Sequence, residues 1–309
     1  MALLQLVPYN TKINFIGFRH ITFALAMIVF FLSGFGYFTK GLNFGIDFQG
    51  GYIFELKTKE SQNLTELRTS FDGLKLGDVS IQEFGSDQDL LIRVEKNDTL
   101  EQEEVIEKVK SLFPEDTDYR RVETVGPKVG EELIGNAIKA LALALSAMLI
   151  YIGIRFEWQF AACAVVALAH DCAAIFLLFC FFPFEFNETS IIAILITAGY
   201  SINDSIVIFD RIRENMRHFK KMEMKELINK SINDTLSRTM LTATTTLMAL
   251  FALYLFGGKV IAAFSFPIII GIIVGSFSSI CLAAPLLLFL NLKRPDEEPS
   301  LEQSAVNRA

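Results

Sequence analysis

The chain has 309 residues, of which 52% are hydrophobic and only 20% charged, with 29 Phe and a mean hydropathy of +0.41. Soluble domains are about 45–50% apolar with those residues spread along the chain; here they form long blocks nearly free of charge, which excludes a disordered chain, a collagen-like fibre and an ordinary cytosolic enzyme, and indicates an integral membrane protein. The formal net charge of −7 is local: residues 40–136 hold 12 Lys/Arg against 21 Asp/Glu, leaving the rest slightly basic. An acidic domain in such a body argues against nucleic acid as a partner, which calls for a basic face.

A bilayer core takes about 17–25 apolar residues per helix. Six stretches qualify, at 21–38, 134–154, 160–182, 191–209, 240–256 and 264–290. The expected organisation is an N-terminus (1–20), a first span (21–38), an outer α+β domain (39–133), a five-helix membrane region (134–290) and a polar tail (291–309). Lys12 and Arg19 precede the first span, and it runs into Lys40 without a small-residue cleavage pattern, as an uncleaved signal-anchor does. The Gly-rich segment GLNFGIDFQGG (residues 41–51) follows. It lacks the Lys-Ser/Thr of a phosphate loop and opens no helix, so Gly41, Gly45, Asp47, Gly50 and Gly51 are expected to form a tight, hinge-capable junction.

In the outer domain, residues 51–58 place Tyr52, Phe54 and Leu56 on one face of a strand. Residues 63–73 put Leu64, Leu67 and Phe71 at helical spacing. Strands at 78–84 and 89–95 flank a turn at Gly85-Ser86-Asp87, Asp98 is a candidate cap for a helix over 100–113 burying Val105, Val109 and Leu112, and 118–125 is a closing strand. The order β-α-β-β-α-β is ferredoxin-like. All four Cys (Cys163, Cys172, Cys180, Cys281) lie in apolar runs outside this domain, which leaves it no disulfide or zinc framework; no metal or cofactor is expected.

An ionisable group inside a span costs roughly 2.5–3.5 kcal/mol on insertion scales and is a functional hypothesis by default. The third span centres on His170 and Asp171, which point about 100° apart and so face different neighbours; a proton relay and a buried polar tie are both open. The fourth carries GYSINDSIVIFDRIREN (residues 199–215), with Thr197, Ser201 and Ser205 as a polar stripe and Asn203 and Asp204 beside it. That face looks into the bundle or a hydrated cavity. Residues 210–238 hold eight Lys/Arg and read as a solvated, headgroup-facing helix pair. Arg238 opens the fifth span at about the depth of Asp204, followed by Thr242, Thr245 and Thr246. Asp204 and Arg238 are the proton-path candidates, as a two-state pair or a static ion pair. Small residues at Gly271, Gly275, Ser279 and Ala283 make the sixth span a close-packing helix, with Pro267 and Pro285 as kinks. Basic residues cluster at the N-terminus, at Arg155, in 210–238 and in the tail, whereas the other side offers Glu185, Glu188 and a single Lys259. The positive-inside rule then puts both termini in the cytoplasm and the acidic domain outside.

GLNFGIDFQGG, the HD pair, GYSINDSIVIFDRIREN and the LSRT-x-x-T-x-x-T opening of the fifth span together resemble the SecF family, the smaller half of the bacterial SecDF accessory translocase in the RND-type transporter superfamily. The resemblance runs from about residue 10 to 290. It implies a bacterial inner-membrane protein without enzymatic activity. Its partners would be SecD, the SecYEG translocon, translocating preproteins and the lipid bilayer, and proton-driven export its function. Asp204 and Arg238 match the family's proposed proton-path residues, with His170, Asp171, Asn203, Ser201 and Thr242 as secondary polar positions. The alternative is half of an RND-type proton-driven small-molecule or lipid exporter. An aspartyl protease using Asp171 and Asp204 lacks the Tyr-Asp and Gly-x-Gly-Asp surroundings of that class, and a purely structural subunit is the third rival.

Overall fold

A computed structural model of the chain describes residues 11–290 and Leu292, apart from Ile46, Asp47, Gln49, Glu60, Ser61, Lys75, Gly85, Asn97, Asp98, Thr99, Glu115 and Pro183. The expectations at Asp47, Gly85 and Asp98, and those for the tail, lie outside the described residues. After α1 (Arg19–Lys40), Gly41 takes φ 71°, a left-handed turn that ends the helix and that glycine adopts without steric cost. The α+β domain follows as β1 (Gly51–Lys57), α2 (Leu64–Gly73), β2 (Val79–Phe84), β3 (Ser86–Glu95), α3 (Gln102–Ser111) and β4 (Asp118–Val125). The membrane region then runs through α4 (Pro127–Arg155), α5 (Trp158–Phe181), α6 (Glu188–His218), α7 (Met224–Phe256) and α8 (Gly258–Ser278). Beyond α8 the chain continues as a π-helical stretch, Ser279–Ala283, and two short turns to Phe289.

Among the described residues, six helices are long and apolar enough to span a membrane, at the six expected places. Most overrun the expected apolar stretches, because polar residues end burial in lipid without ending a helix: α6 continues past Asp210 to His218, and α7 begins at Met224. Asn187 and Ser190 close a reciprocal capping box that starts α6, satisfying two of its free N–H groups. Helices α5, α6 and α8 form the interior of the bundle, and α1, α4 and α7 its periphery. Phe156, Phe160 and Phe209 pack edge-on and tilted in the interior at the end away from the α+β domain.

The sheet has the order β2-β3-β1-β4 with every neighbouring pair antiparallel, which is the ferredoxin-like arrangement expected from the element order. Tyr52, Phe54 and Leu56 are buried on one face with Ile81, Leu90 and Ile92, against Phe71 of α2 and Val105 and Val109 of α3. Asn63 caps α2 by accepting from the Thr65 N–H at 3.0 Å. One boundary differs: β3 begins at Ser86, already paired with Phe84, so residues 86–88 extend the hairpin strand instead of forming a turn.

On the opposite face of the sheet, β2 lies near α8 of the membrane bundle. Side chains alternate along a strand, so Arg93 lies across from the core residue Ile92, with Ser80 as its cross-strand neighbour. Both reach Glu185 in the loop between α5 and α6: Arg93 through an ion pair, Ser80 through a hydroxyl donated at 3.1 Å. The Gly-rich segment is tied to the same loop. Gly45 N–H donates to the Phe186 carbonyl (2.9 Å), Phe186 N–H to the Asn43 carbonyl (2.6 Å), and the rings of Phe44, Phe48 and Phe186 cluster. Gly50 and Gly51 both have positive φ, while Asn43, Gly45 and Phe48 dock onto Phe186.

Arg93→Glu is expected to loosen this docking, because hydrogen bonds to charged groups contribute about 1.5–3 kcal/mol. The reversed pair Arg93→Glu with Glu185→Arg is expected to restore it. Limited proteolysis of residues 41–51 in the purified protein reads the difference; equal protection in the single variant and the wild type would show that the pair does not hold the domain.

Candidate functional site

The interior of the bundle holds two buried carboxylates, Asp171 on α5 and Asp204 on α6, 1% and 2% exposed. Charged groups withdrawn from water need hydrogen bonds, and both find them in hydroxyls. Asp171 Oδ2 accepts from Ser201 Oγ of α6 and from Ser278 Oγ of α8, the latter at 2.8 Å. His170 Nδ1 lies 3.1 Å from Asp171 Oδ1, and its ring packs edge-on against Phe30 of α1. The two residues therefore face different helices, as their 100° separation requires, and still touch each other. Asp204 Oδ2 accepts from Ser276 Oγ of α8 at 3.3 Å.

Helix α8 joins these groups. Ser279 Oγ lies 3.0 Å from Ser205 Oγ and donates to the Ser201 carbonyl at 3.0 Å. The stripe Thr197, Ser201, Ser205 is buried against α8, as its spacing predicts. It is matched there by glycines: a Cβ on Gly271 would lie 2.7 Å from Thr197 Cγ2, and one on Gly275 3.0 Å from Ser201 Cβ. Close packing is thus only half of what the sixth span does. Its serines 276, 278 and 279 bond the neighbouring helices, and a reading of this helix as packing alone missed them because serine beside glycine in an apolar run carries the same signal as any small residue.

Arg238 stands apart. It is exposed, and among the described residues no hydrogen bond or ion pair joins it to Asp204. Arg211 pairs with Asp234, which fixes the register of α6 against α7. Asp204 then lies seven residues, about 10 Å, deeper than this level, and Arg238 four residues, about 6 Å, deeper. The two levels differ by about 4 Å, a little under one helical turn. Thr242, Thr245 and Thr246 spend their hydroxyls on carbonyls of their own helix, a pattern that competes with the helix ladder and leaves none directed at a carboxylate. Asn203 is exposed on α6, away from the network. Asp171 and Asp204 accept from different hydroxyls and share none, unlike a protease dyad, whose carboxylates share a proton.

An α-helical polytopic membrane protein is defined by these features: six spans, a ferredoxin-like domain inserted after the first, and acids held by serines in its interior. Comparison with known proteins narrows the class. The family model of protein export membrane protein SecD/SecF, C-terminal, matches residues 104–293, and that of the SecD/SecF GG motif matches residues 38–62. Protein translocase subunit SecF of Rickettsia prowazekii (strain Madrid E) is 40% identical over 295 residues, covering 94% of this chain and 95% of that protein. Its counterpart in Calditerrivibrio nitroreducens is 42% identical over 298 residues, covering 94% and 98%. Among solved structures, SecDF from Thermus thermophilus, a translocon-associated membrane protein, superposes with a TM-score of 0.81 at 34% identity over 92% of this chain, and SecDF in a super-membrane-facing form with 0.70 at 32% over the whole chain. The chain spans 39% and 41% of those two longer SecDF chains. It belongs to the SecD/SecF family of protein export membrane proteins.

Proposed function

We propose that this chain is a non-enzymatic accessory subunit of protein export. With a SecD partner it uses the proton gradient to promote late, SecYEG-dependent translocation of preproteins across the bacterial inner membrane. Both termini lie in the cytoplasm and residues 39–133 form the outer domain, a reading supported by the distribution of Lys and Arg. The observation that carries the coupling role is Asp204, a carboxylate 2% exposed at the centre of a membrane bundle and held by one long hydroxyl bond. Asp171, by contrast, is held by two hydroxyls and a histidine. An acid with so few fixed partners is the one suited to gaining and losing a proton, and Arg238, with no carboxylate bound to it among the described residues, is the mobile cation near it. Asp171, His170 and Ser201 serve as the fixed counterpart.

Asn203 and Arg238 are exposed at or near membrane depth, where polar groups avoid lipid. This supports a partner chain covering the α6–α7 side of the bundle. The glycines of residues 41–51 set the geometry of the junction through which the outer domain responds. The reading is tested by late-stage translocation of a secretory precursor into membrane vesicles containing this chain and SecD, with and without a proton gradient. Asp204→Asn is expected to lose the gradient-dependent part alone; retention of that part would remove Asp204 from the coupling machinery.

A further inference from the structure

The π-helical stretch Ser279–Ala283 has a local cause and a partner. Pro285 has no N–H, so the Cys281 carbonyl, four residues earlier, lacks its α-helical donor. A hydroxyl from another helix takes that place: Thr22 Oγ of α1 donates to the Cys281 carbonyl at 2.9 Å, from a residue only 7% exposed. The same hydroxyl lies 3.0 Å from the Arg19 carbonyl of its own helix. Threonine has a single O–H proton, so Thr22 has two acceptors and one donor. It either holds α8 or bonds back within α1. π-Helical turns inside α-helices recur at functional sites.

The position of this joint gives it significance. Three residues before the π-helical stretch, Ser276 is the hydroxyl on Asp204; one residue before it, Ser278 is fixed on Asp171. At the other end of α1, Lys40 runs into Gly41 and the docked junction of the outer domain. We infer that Thr22 and Pro285 are positioning residues that pass the state of Asp204 from α8 to α1: Pro285 frees the Cys281 carbonyl, and Thr22 holds or releases it. This rests on Asp204 being the coupling acid. When Asp204 is ionised, the Ser276 bond is charge-assisted and stronger than the bond to a neutral acid; protonation loosens α8 at Ser276, while Asp171 keeps Ser278 in place. The helix then turns about Ser278, and the motion reaches the residues beyond it, which the Thr22 hydroxyl and the Phe23–Phe289 ring contact join to α1.

The test uses the same vesicles, holding this chain with SecD, and compares Thr22→Val, Thr22→Ser, Pro285→Ala and Asp204→Asn with and without a proton gradient. Valine keeps the shape of threonine and removes the donor. Thr22→Val is expected to cut the gradient-dependent component about fivefold, the coupling lost with one hydrogen bond, and to leave the gradient-independent component unchanged. Thr22→Ser, which restores the hydroxyl, is expected to recover it. Pro285→Ala supplies a backbone N–H to donate to the Cys281 carbonyl and is expected to reduce coupling as Thr22→Val does, without additivity in the double variant. The inference is overturned if Thr22→Val retains the gradient-dependent component while Asp204→Asn loses it, if Thr22→Val lowers both components together, or if Thr22→Ser fails to restore coupling. Retention of that component by Asp204→Asn overturns the functional reading itself.

Discussion

Asp204→Asn is expected to reduce gradient-driven translocation to the level seen without a gradient, while the amount of assembled protein stays at that of the wild type. Asparagine has nearly the size of aspartate and keeps a carbonyl oxygen to accept from Ser276, so the contact with α8 survives. What is lost is the exchangeable proton. Removing a buried charge that has only one partner also removes its desolvation penalty, so the variant is not expected to unfold more readily. The measurement is the ratio of precursor fully translocated with and without the gradient, taken beside a denaturation curve in detergent. A lower melting temperature together with lost coupling would assign Asp204 to scaffolding; an unchanged ratio would move the coupling elsewhere in the complex.

Gly271→Leu is expected to prevent the bundle from forming, and Gly271→Ala to destabilise it by about 1–3 kcal/mol, the range for overpacking in a filled core. The reason is geometric. Thr197 faces Gly271 across the α6–α8 contact, and even its Cβ would lie 2.9 Å from an added methyl. Threonine cannot turn away freely, since its branched Cβ restricts χ1 in a helix. The helices would have to separate, stretching the Ser276, Ser278 and Ser279 hydrogen bonds to α5 and α6 together. Thr197→Ala in the Gly271→Ala background removes Oγ1 and Cγ2 and is expected to recover part of the loss. Equal stability of Gly271→Ala and wild type, by thermal unfolding in detergent, would show that α6 and α8 have room to spare.

The parts legible in the sequence were those with a period or a composition. Alternation of Tyr52, Phe54 and Leu56 marked a half-buried strand, and the spacing of Leu67 and Phe71 a helix packed on it. The i, i+4, i+8 stripe of Thr197, Ser201 and Ser205 marked the inward face of α6, and Asp204 was conspicuous as an acid in a span. The parts that were not legible are pairings between distant positions. Ser276 and Ser278 meet Asp204 and Asp171 across 72 and 107 residues, and Arg93 meets Glu185 across 92. Neither partner of such a pair changes the local pattern around the other. Polarity by itself also misled. Thr242 and Asn203 are as polar as Ser201, yet one bonds back to its own helix and the other faces outward. Only the rotation of each helix against its neighbours separates them, and hydropathy does not report rotation.

The contacts of α1 bear on how the chain matures during synthesis. Before this helix, the Ile13 backbone is clamped by the side chains of Asn229 and Asn233; within it, Thr22 reaches Cys281; beyond it, Asn43 and Gly45 bond Phe186. Each partner is made long after α1 itself, the last of them 259 residues after Thr22. The α+β domain, by contrast, draws its core from residues 52–113 and can close as soon as that short stretch emerges, since domains generally fold as units from the N-terminus onward. This span is therefore held in stages, on α5 before the sixth span. Its packing on α5, where Phe30 meets His170, comes first, and a ribosome that stalls before Cys281 leaves a chain whose domain is native and whose Thr22 has yet to reach the sixth span.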